Sequence, residues 1–202
     1  MWALIPINNF DASMSRLSSL LNREERTELT KILAIQTLNI LNKIEAIDKI
    51  IVMTDETEWI ESLSIEKIIA IDDFDVPILK KKIEKASNWM EKKNAKRIIY
   101  LSIDLPFINL TDVETFINSH KKGMTIVEAG KDGGTNALIL DMPRMIDFQF
   151  GENSFEKHIR SAENANITVK VFKNRALSSD LDDENDFKKF KMHGYAVNSA
   201  LA

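Results

Sequence analysis

The sequence predicts an α/β fold: a largely parallel sheet covered by helices on both faces. Two observations carry that expectation. Short β-branched runs alternate with longer stretches of helical periodicity along the chain. The 202 residues are 44% hydrophobic and 29% charged, enough for one full core, and no internal repeat or low-complexity linker divides them. A single domain over residues 1–202 is expected, with 194–202 fraying because they lack an apolar stripe.

The elements follow in order. Residues 2–7 read as a first strand that stops at Pro6 and a polar loop. Asn22-Arg23-Glu24-Glu25 places a glutamate three positions after a cap residue, a helix start. The helix it opens sets Leu29, Ile32, Leu33, Gln36 and Ile40 on one side. Residues 49–53 and 67–71 are the second and third strands. Leu79, Ile83, Ala86 and Met90 then stripe a helix whose Lys80, Lys81, Lys82 and Lys85 form a solvated face. Residues 97–103 make a fourth strand, stopped at Asp104-Leu105-Pro106, and Thr111 with Glu114 caps the next helix. Strands at 124–128 and 136–140, a helix at 154–165 and a last strand at 167–172 complete the pattern. Such sheets bind ligands beyond the carboxyl ends of their strands, so the loops there are where chemistry is sought.

Composition removes several function classes. The chain has no cysteine, which excludes disulfides, cysteine nucleophiles and thiolate metal sites. A net charge of −4 with scattered cations argues against nucleic acid as a partner. No apolar run approaches the roughly 20 residues that cross a bilayer, so no membrane association is expected. The N-terminus lacks a basic flank and a long apolar segment, and a cytoplasmic protein is expected. The motifs G-x-G-x-x-G, G-x-x-x-x-G-K-[ST] and H-E-x-x-H do not occur.

Glycine is the first positive signal. Of 6 glycines, Gly130, Gly133, Gly134 and Gly151 are concentrated in one stretch. Lys131-Asp132-Gly133-Gly134-Thr135-Asn136 would present successive backbone N–H groups to an anion, and Phe150-Gly151-Glu152-Asn153-Ser154 leads into a helix N-terminus. Singly each reads as a turn or cap; together they favour a bound anion. Asp104 ends a strand at the ligand edge, where a turn residue is the alternative. In Asp180-Leu181-Asp182 an extended backbone turns both carboxylates to one side and Leu181 to the other. That pattern suits Mg²⁺, held by one or two carboxylates plus substrate phosphates. With Asp183, Glu184 and Asp186 it equally suits an acidic helix start. Arg16 would clamp a phosphate or stand exposed at a helix start. His158 shares a helical face with Ser154 and reads as a surface histidine.

These residues together resemble the 2-phospho-L-lactate guanylyltransferases (CofC), whose close relatives use phosphoenolpyruvate. The matching segments are Met1-Trp2-Ala3-Leu4-Ile5-Pro6, Ser15-Arg16-Leu17, Glu24-Glu25-Arg26, Asp104-Leu105-Pro106, Gly133-Gly134-Thr135-Asn136-Ala137-Leu138, Phe150-Gly151 with Ser154-Phe155 and His158, and Asp180-Leu181-Asp182 before Asp186. The resemblance implies a three-layer α/β/α nucleotidyltransferase fold of the GT-A type with a mostly parallel mixed sheet. It implies Mg²⁺-dependent transfer of GMP from GTP to 2-phospho-L-lactate or phosphoenolpyruvate, releasing pyrophosphate, in coenzyme F-420 biosynthesis. It assigns Asp104, Asp180 and Asp182 to catalysis and Mg²⁺. Pro6, Ser15 and Arg16 fall to the nucleotide, and Gly134, Thr135, Asn136, Gly151 and Ser154 to the acceptor.

The chain departs from the family's pattern in its first loop, where Asn8 and Met14 stand at lysine positions. Val76-Pro77 replace a leucine-asparagine pair associated with the base, and Glu184 stands near the place of a proline. The alternative reading is therefore a weakened member that binds nucleotide or acid without full turnover. A homodimer through Trp59 or Trp89 is left open.

Overall fold

Seven strands of the computed structural model, which describes residues 1–72 and 79–192, form one mixed sheet. They are β1 (Trp2–Pro6), β2 (Lys49–Met53), β3 (Ile68–Ile71), β4 (Arg97–Leu101), β5 (Met124–Glu128), β6 (Thr135–Asp141) and β7 (Val169–Val171), in the order β3-β2-β1-β4-β6-β5-β7. Only β6 runs against its neighbours β4 and β5; the other pairings are parallel. The segments 73–78, with Val76-Pro77, and 193–202, with the expected frayed tail, lie outside the described residues.

The strands are apolar because both faces are covered. Ala3, Ile5, Val52, Ile99 and Ile139 pack against α1 (Arg23–Lys43), α2 (Thr57–Ser62) and α4 (Leu110–Ser119). Leu4, Ile51, Ile98, Ile126 and Leu138 pack against α3 (Leu79–Lys92) and α5 (Ser154–Asn164). A smaller cluster joins Leu17, Leu29 and Leu33 to Leu181, Phe187 and Phe190, seating α6 (Glu184–Met192) beside the start of α1. Among the described residues no helix is long and apolar enough to cross a membrane. Trp59 meets Phe10 edge-on and Trp89 lies against Trp2 of the same chain.

Several boundaries differ from the expectation. The capping box at Asn22 and Glu25 is present. The helix face is not the expected one: Thr30, Ala34, Thr37, Leu38 and Leu41 join Leu29 and Leu33 inside, while Ile32 lies outside. Apolar residues surround this helix on all sides, so periodicity could not select the buried face. The cap of α4 is Asn109 paired with Asp112, not Thr111 with Glu114. An aspartate closes the box there in place of the usual glutamate or glutamine. Strand β4 ends at Leu101, short of the expected residue 103. Strand β7 has one partner, β5, and shrinks to Val169–Val171.

Candidate active site

The carboxyl ends of β1, β4, β5 and β7 lie along one edge of the sheet. The reversal of β6 brings its amino end, Thr135 and Asn136, to that same edge beside β4, where the Ser102 amide donates to the Asn136 carbonyl at 2.9 Å. The order of strands reverses between β1 and β4, and the loops after these two face each other there.

The loop after β1 is pinned by what it buries. Phe10 and Leu17 are inside, the Phe10 amide donates to Glu56, and the Ile7 amide donates to the Met53 carbonyl. Met14 takes a left-handed conformation (φ 51°) that turns the chain outward. Pro6, Asn8, Met14, Ser15 and Arg16 consequently line a cavity of about 300 Å³ together with Tyr100, Ser102, Asp104 and Asp182. Tyr100 and Ser102 were not singled out from sequence; their place on β4 just before Asp104 was the available signal.

Asp104 and Asp182 line this cavity, and Asp180, which lines a neighbouring one, is near enough to act on the Asp104 carboxyl. The Leu181 amide donates to the Asp104 carbonyl at 2.8 Å, tying the loop after β7 to the end of β4. Leu181 is 2% exposed in the small cluster, while Asp182 lines the cavity with Asp104 and Asp180 lines the neighbouring one. Burial pushes the Asp104 carboxyl up to about 6; a 2.5 Å hydrogen bond from Ser102 opposes this, and the negative charges of Asp180 and Asp182 add to it. Burial likewise raises Asp180, with Asp182 adding to the shift and the Asn136 side chain opposing it. Burial raises Asp182, against the pull of Arg16, with which it forms an ion pair. The helix-start reading also holds: Asp183 Oδ1 accepts from the Asn185 and Asp186 amides, and Lys131 bridges Asp183 and Asp186 at 2.7 and 2.6 Å. Lys131 offsets the acids of the helix, while Asp180 and Asp182 raise the negative potential at Asp104.

Among the described residues no three acidic or histidine side chains enclose a metal ion by themselves. Hard oxygen donors under mutual repulsion, too few to complete a shell, are the donor set that Mg²⁺ uses when substrate phosphates supply the remaining ligands. Asp104 and Asp182, which line one cavity, are donors of that type.

The glycine-rich stretch shares this edge of the sheet but lines a neighbouring cavity, through Gly130, Lys131 and Gly133. Gly134 already donates its amide to Asp132 at 2.8 Å, so this turn carries its own anion; the Phe155 amide donates to the Gly133 carbonyl and fastens the turn to α5. Asn136 donates to the Leu177 carbonyl at 3.1 Å. Thr135 and Ser154 meet, Oγ to Oγ, at 3.0 Å. Gly151 has φ 117°, and a Cβ built there would meet nothing within 4 Å, leaving open space beside its backbone.

His158 is not a surface residue: it is 0% exposed. Its Nδ1 lies 3.1 Å from Thr135 Oγ1, its Nε2 accepts from the Gln149 amide at 2.8 Å, and Phe148 and Phe150 pack edge-on to the ring. The spacing to Ser154 fixed its face of the helix but not that the 148–150 segment covers that face. Burial pushes its pKa down to about 4, with Lys80 adding to the effect. A proton is therefore bound more readily by the unfolded chain, and stability present above pH 6.5 is lost as pH falls towards 4. The expected loss is about 3 kcal/mol. Urea midpoints of wild type and H158Q, compared at pH 7 and 4.5, should show the wild type falling further; equal falls would contradict this.

Comparison with known proteins gives a consistent picture. A family model described as "Guanylyl transferase CofC like" matches residues 1–200. The 2-phospho-L-lactate guanylyltransferase of Methanobrevibacter ruminantium is 31% identical over 96% of this chain and 86% of its own. That of Methanobrevibacter smithii is 27% identical over 96% and 84%. Among solved structures, a protein assigned as a nucleotide-diphospho-sugar transferase from Desulfovibrio desulfuricans superposes with a TM-score of 0.80 at 13% identity, over 97% of this chain and 88% of that one. A nucleotidyl transferase from Methanothermobacter thermautotrophicus gives 0.65 at 13% identity, over 97% and 98%. At such identities the structures establish a shared nucleotidyltransferase-like α/β fold.

Proposed function

Because the chain belongs to the family of CofC-like guanylyltransferases, we propose that it transfers GMP from GTP to the phosphate of 2-phospho-L-lactate, releasing pyrophosphate, in coenzyme F-420 biosynthesis. The observation that carries this reading is the convergence of Asp104 with Asp180 and Asp182 across the loop after β1, joined through the Leu181 amide.

The acceptor phosphate oxygen is ionised at neutral pH, so no general base is needed to make it a nucleophile. Its lone pair forms a bond to the α-phosphorus of GTP, and the bond from that phosphorus to the bridging oxygen breaks, its electron pair leaving with pyrophosphate. The barrier lies in aligning two anions. Thr135, Gly151 and Ser154 hold the acceptor, Gly134 and Asn136 shape the turn around it, and Pro6, Ser15 and Arg16 contact the nucleotide. Asp104, Asp180 and Asp182 would hold Mg²⁺, which when bound supplies charge neutralisation at the phosphate oxygens. Arg16 is ion-paired with Asp182 in the free protein and must exchange that partner for a phosphate.

A second reading, a member that binds without full turnover, is favoured by one observation. Arg16 is the lone cation among the described residues lining the cavity that holds Asn8 and Met14. Pyrophosphate release measured with GTP, Mg²⁺ and either 2-phospho-L-lactate or phosphoenolpyruvate tests both readings. Release with 2-phospho-L-lactate is expected. Release with phosphoenolpyruvate alone would transfer the activity to that acid. A melting shift with either acid but no release would establish the second reading, and neither response would reject both.

A further inference from the structure

We propose that His158 is a positioning residue that makes the Thr135–Ser154 hydroxyl pair a hydrogen-bond donor to the anionic acceptor. The inference rests on the acceptor seating at this pair, and it follows from counting protons. The Gln149 amide can only donate, so His158 Nε2, 2.8 Å away, must be the acceptor. A neutral imidazole that accepts at Nε2 carries its proton on Nδ1. That Nδ1–H faces Thr135 Oγ1, 3.1 Å away, and the Ser154 backbone carbonyl, so Thr135 does not spend its own proton on the ring.

The two hydroxyls, 3.0 Å apart, own two protons between them. One is spent in the bond from one hydroxyl to the other. Because the ring donates, the second proton is surplus and can be given to an anion. In the opposite tautomer Nδ1 would accept, Thr135 would spend its proton on the ring, and Ser154 would spend its own on Thr135. The pair would then offer lone pairs alone, which repel a phosphate or carboxylate. The tautomer of one buried ring thus fixes the polarity of the pair. Phe148 and Phe150 pack against the fully buried ring, which keeps its two hydrogen-bond partners. Gly151, with empty space beside its backbone, leaves room for the anion at the start of α5.

Two substitutions separate this role from a packing role. Asparagine superposes its amide nitrogen on Nδ1 and keeps the donor to Thr135, whereas glutamine reaches the Nε2 position and keeps the acceptor for Gln149. H158N is expected to hold the acceptor KM within about threefold of wild type. H158Q should raise it by about 10- to 100-fold, the loss of one hydrogen bond to a charged group, with the KM for GTP unchanged in both. The reverse ranking, or equal effects, would overturn the proposal, since a residue that only anchors the 148–150 segment is spared by glutamine. Nitrogen-15 spectra of the imidazole in the wild-type protein supply a readout independent of turnover. The Nδ1–H tautomer is expected, and the Nε2–H tautomer would overturn the assignment even if a variant failed to fold. If neither acid turns over, the proposed function fails by itself; titration of the same variants with inorganic phosphate then ranks them, with asparagine binding and glutamine weakened as the expected order.

Discussion

Asp104→Asn is expected to reduce nucleotidyl transfer by roughly 10²–10³-fold or more while making the free protein more stable. The two effects have one cause. Burial, with Asp180 and Asp182 nearby, lifts the Asp104 carboxyl from its ordinary 3.8 to about 6. The native state therefore binds the proton more tightly than the unfolded chain, and stability falls as pH rises from 3.8 through 6. Above that window the ionised group costs about 2–3 kcal/mol, which asparagine removes. Urea midpoints at pH 7 without divalent cations should be higher for the variant. Adding MgCl₂ should stabilise the wild type and leave the variant unmoved. A variant less stable than wild type, or one that responds equally to Mg²⁺, would show that Asp104 serves the fold and not the reaction. A site that weakens its own scaffold in this way is the usual trade between stability and activity.

The second large effect concerns the loop after β1. Asn8→Lys with Met14→Lys should tighten GTP binding by about 10- to 100-fold, because both positions line the cavity whose described cation is Arg16. A charge-assisted hydrogen bond is worth about 1.5–3 kcal/mol, and screening together with the side-chain entropy of two exposed lysines leaves about 2 kcal/mol for the pair. The left-handed backbone of Met14 already carries a non-glycine side chain, so lysine adds no new strain there. Calorimetric titration with a non-hydrolysable GTP analogue at two salt concentrations checks both affinity and its salt dependence, which should steepen. Unchanged affinity would mean that the triphosphate lies elsewhere.

The strand cores were legible because a strand buried on both faces must be an apolar run: 49–53 and 124–128 carry the same bounds in sequence and structure. The inward packing of Leu181 was also legible, but not that Asp180 and Asp182 would line separate cavities. The face of α1 was not, because its inner surface contains Thr30 and Thr37 and its outer surface Ile32 and Ile35. Only the position of neighbouring elements decides between such faces. His158 was misplaced for the same reason: what covers it, Phe148 and Phe150, lies before its helix and folds back on it. The glycine-rich turn announced unusual backbone but not that Asp132 would occupy the Gly134 amide. Short helices such as Thr57–Ser62 gave no signal, having too few turns to show a period.

The main-chain bond from residue 181 to residue 104 has a further consequence. It sets the gap between the backbones of the two acidic loops, which no rotamer change can widen. Triphosphate affinity, which the first loop would tune, and the backbone spacing that this stitch sets are therefore separable traits. A redesign of one can proceed without re-engineering the other.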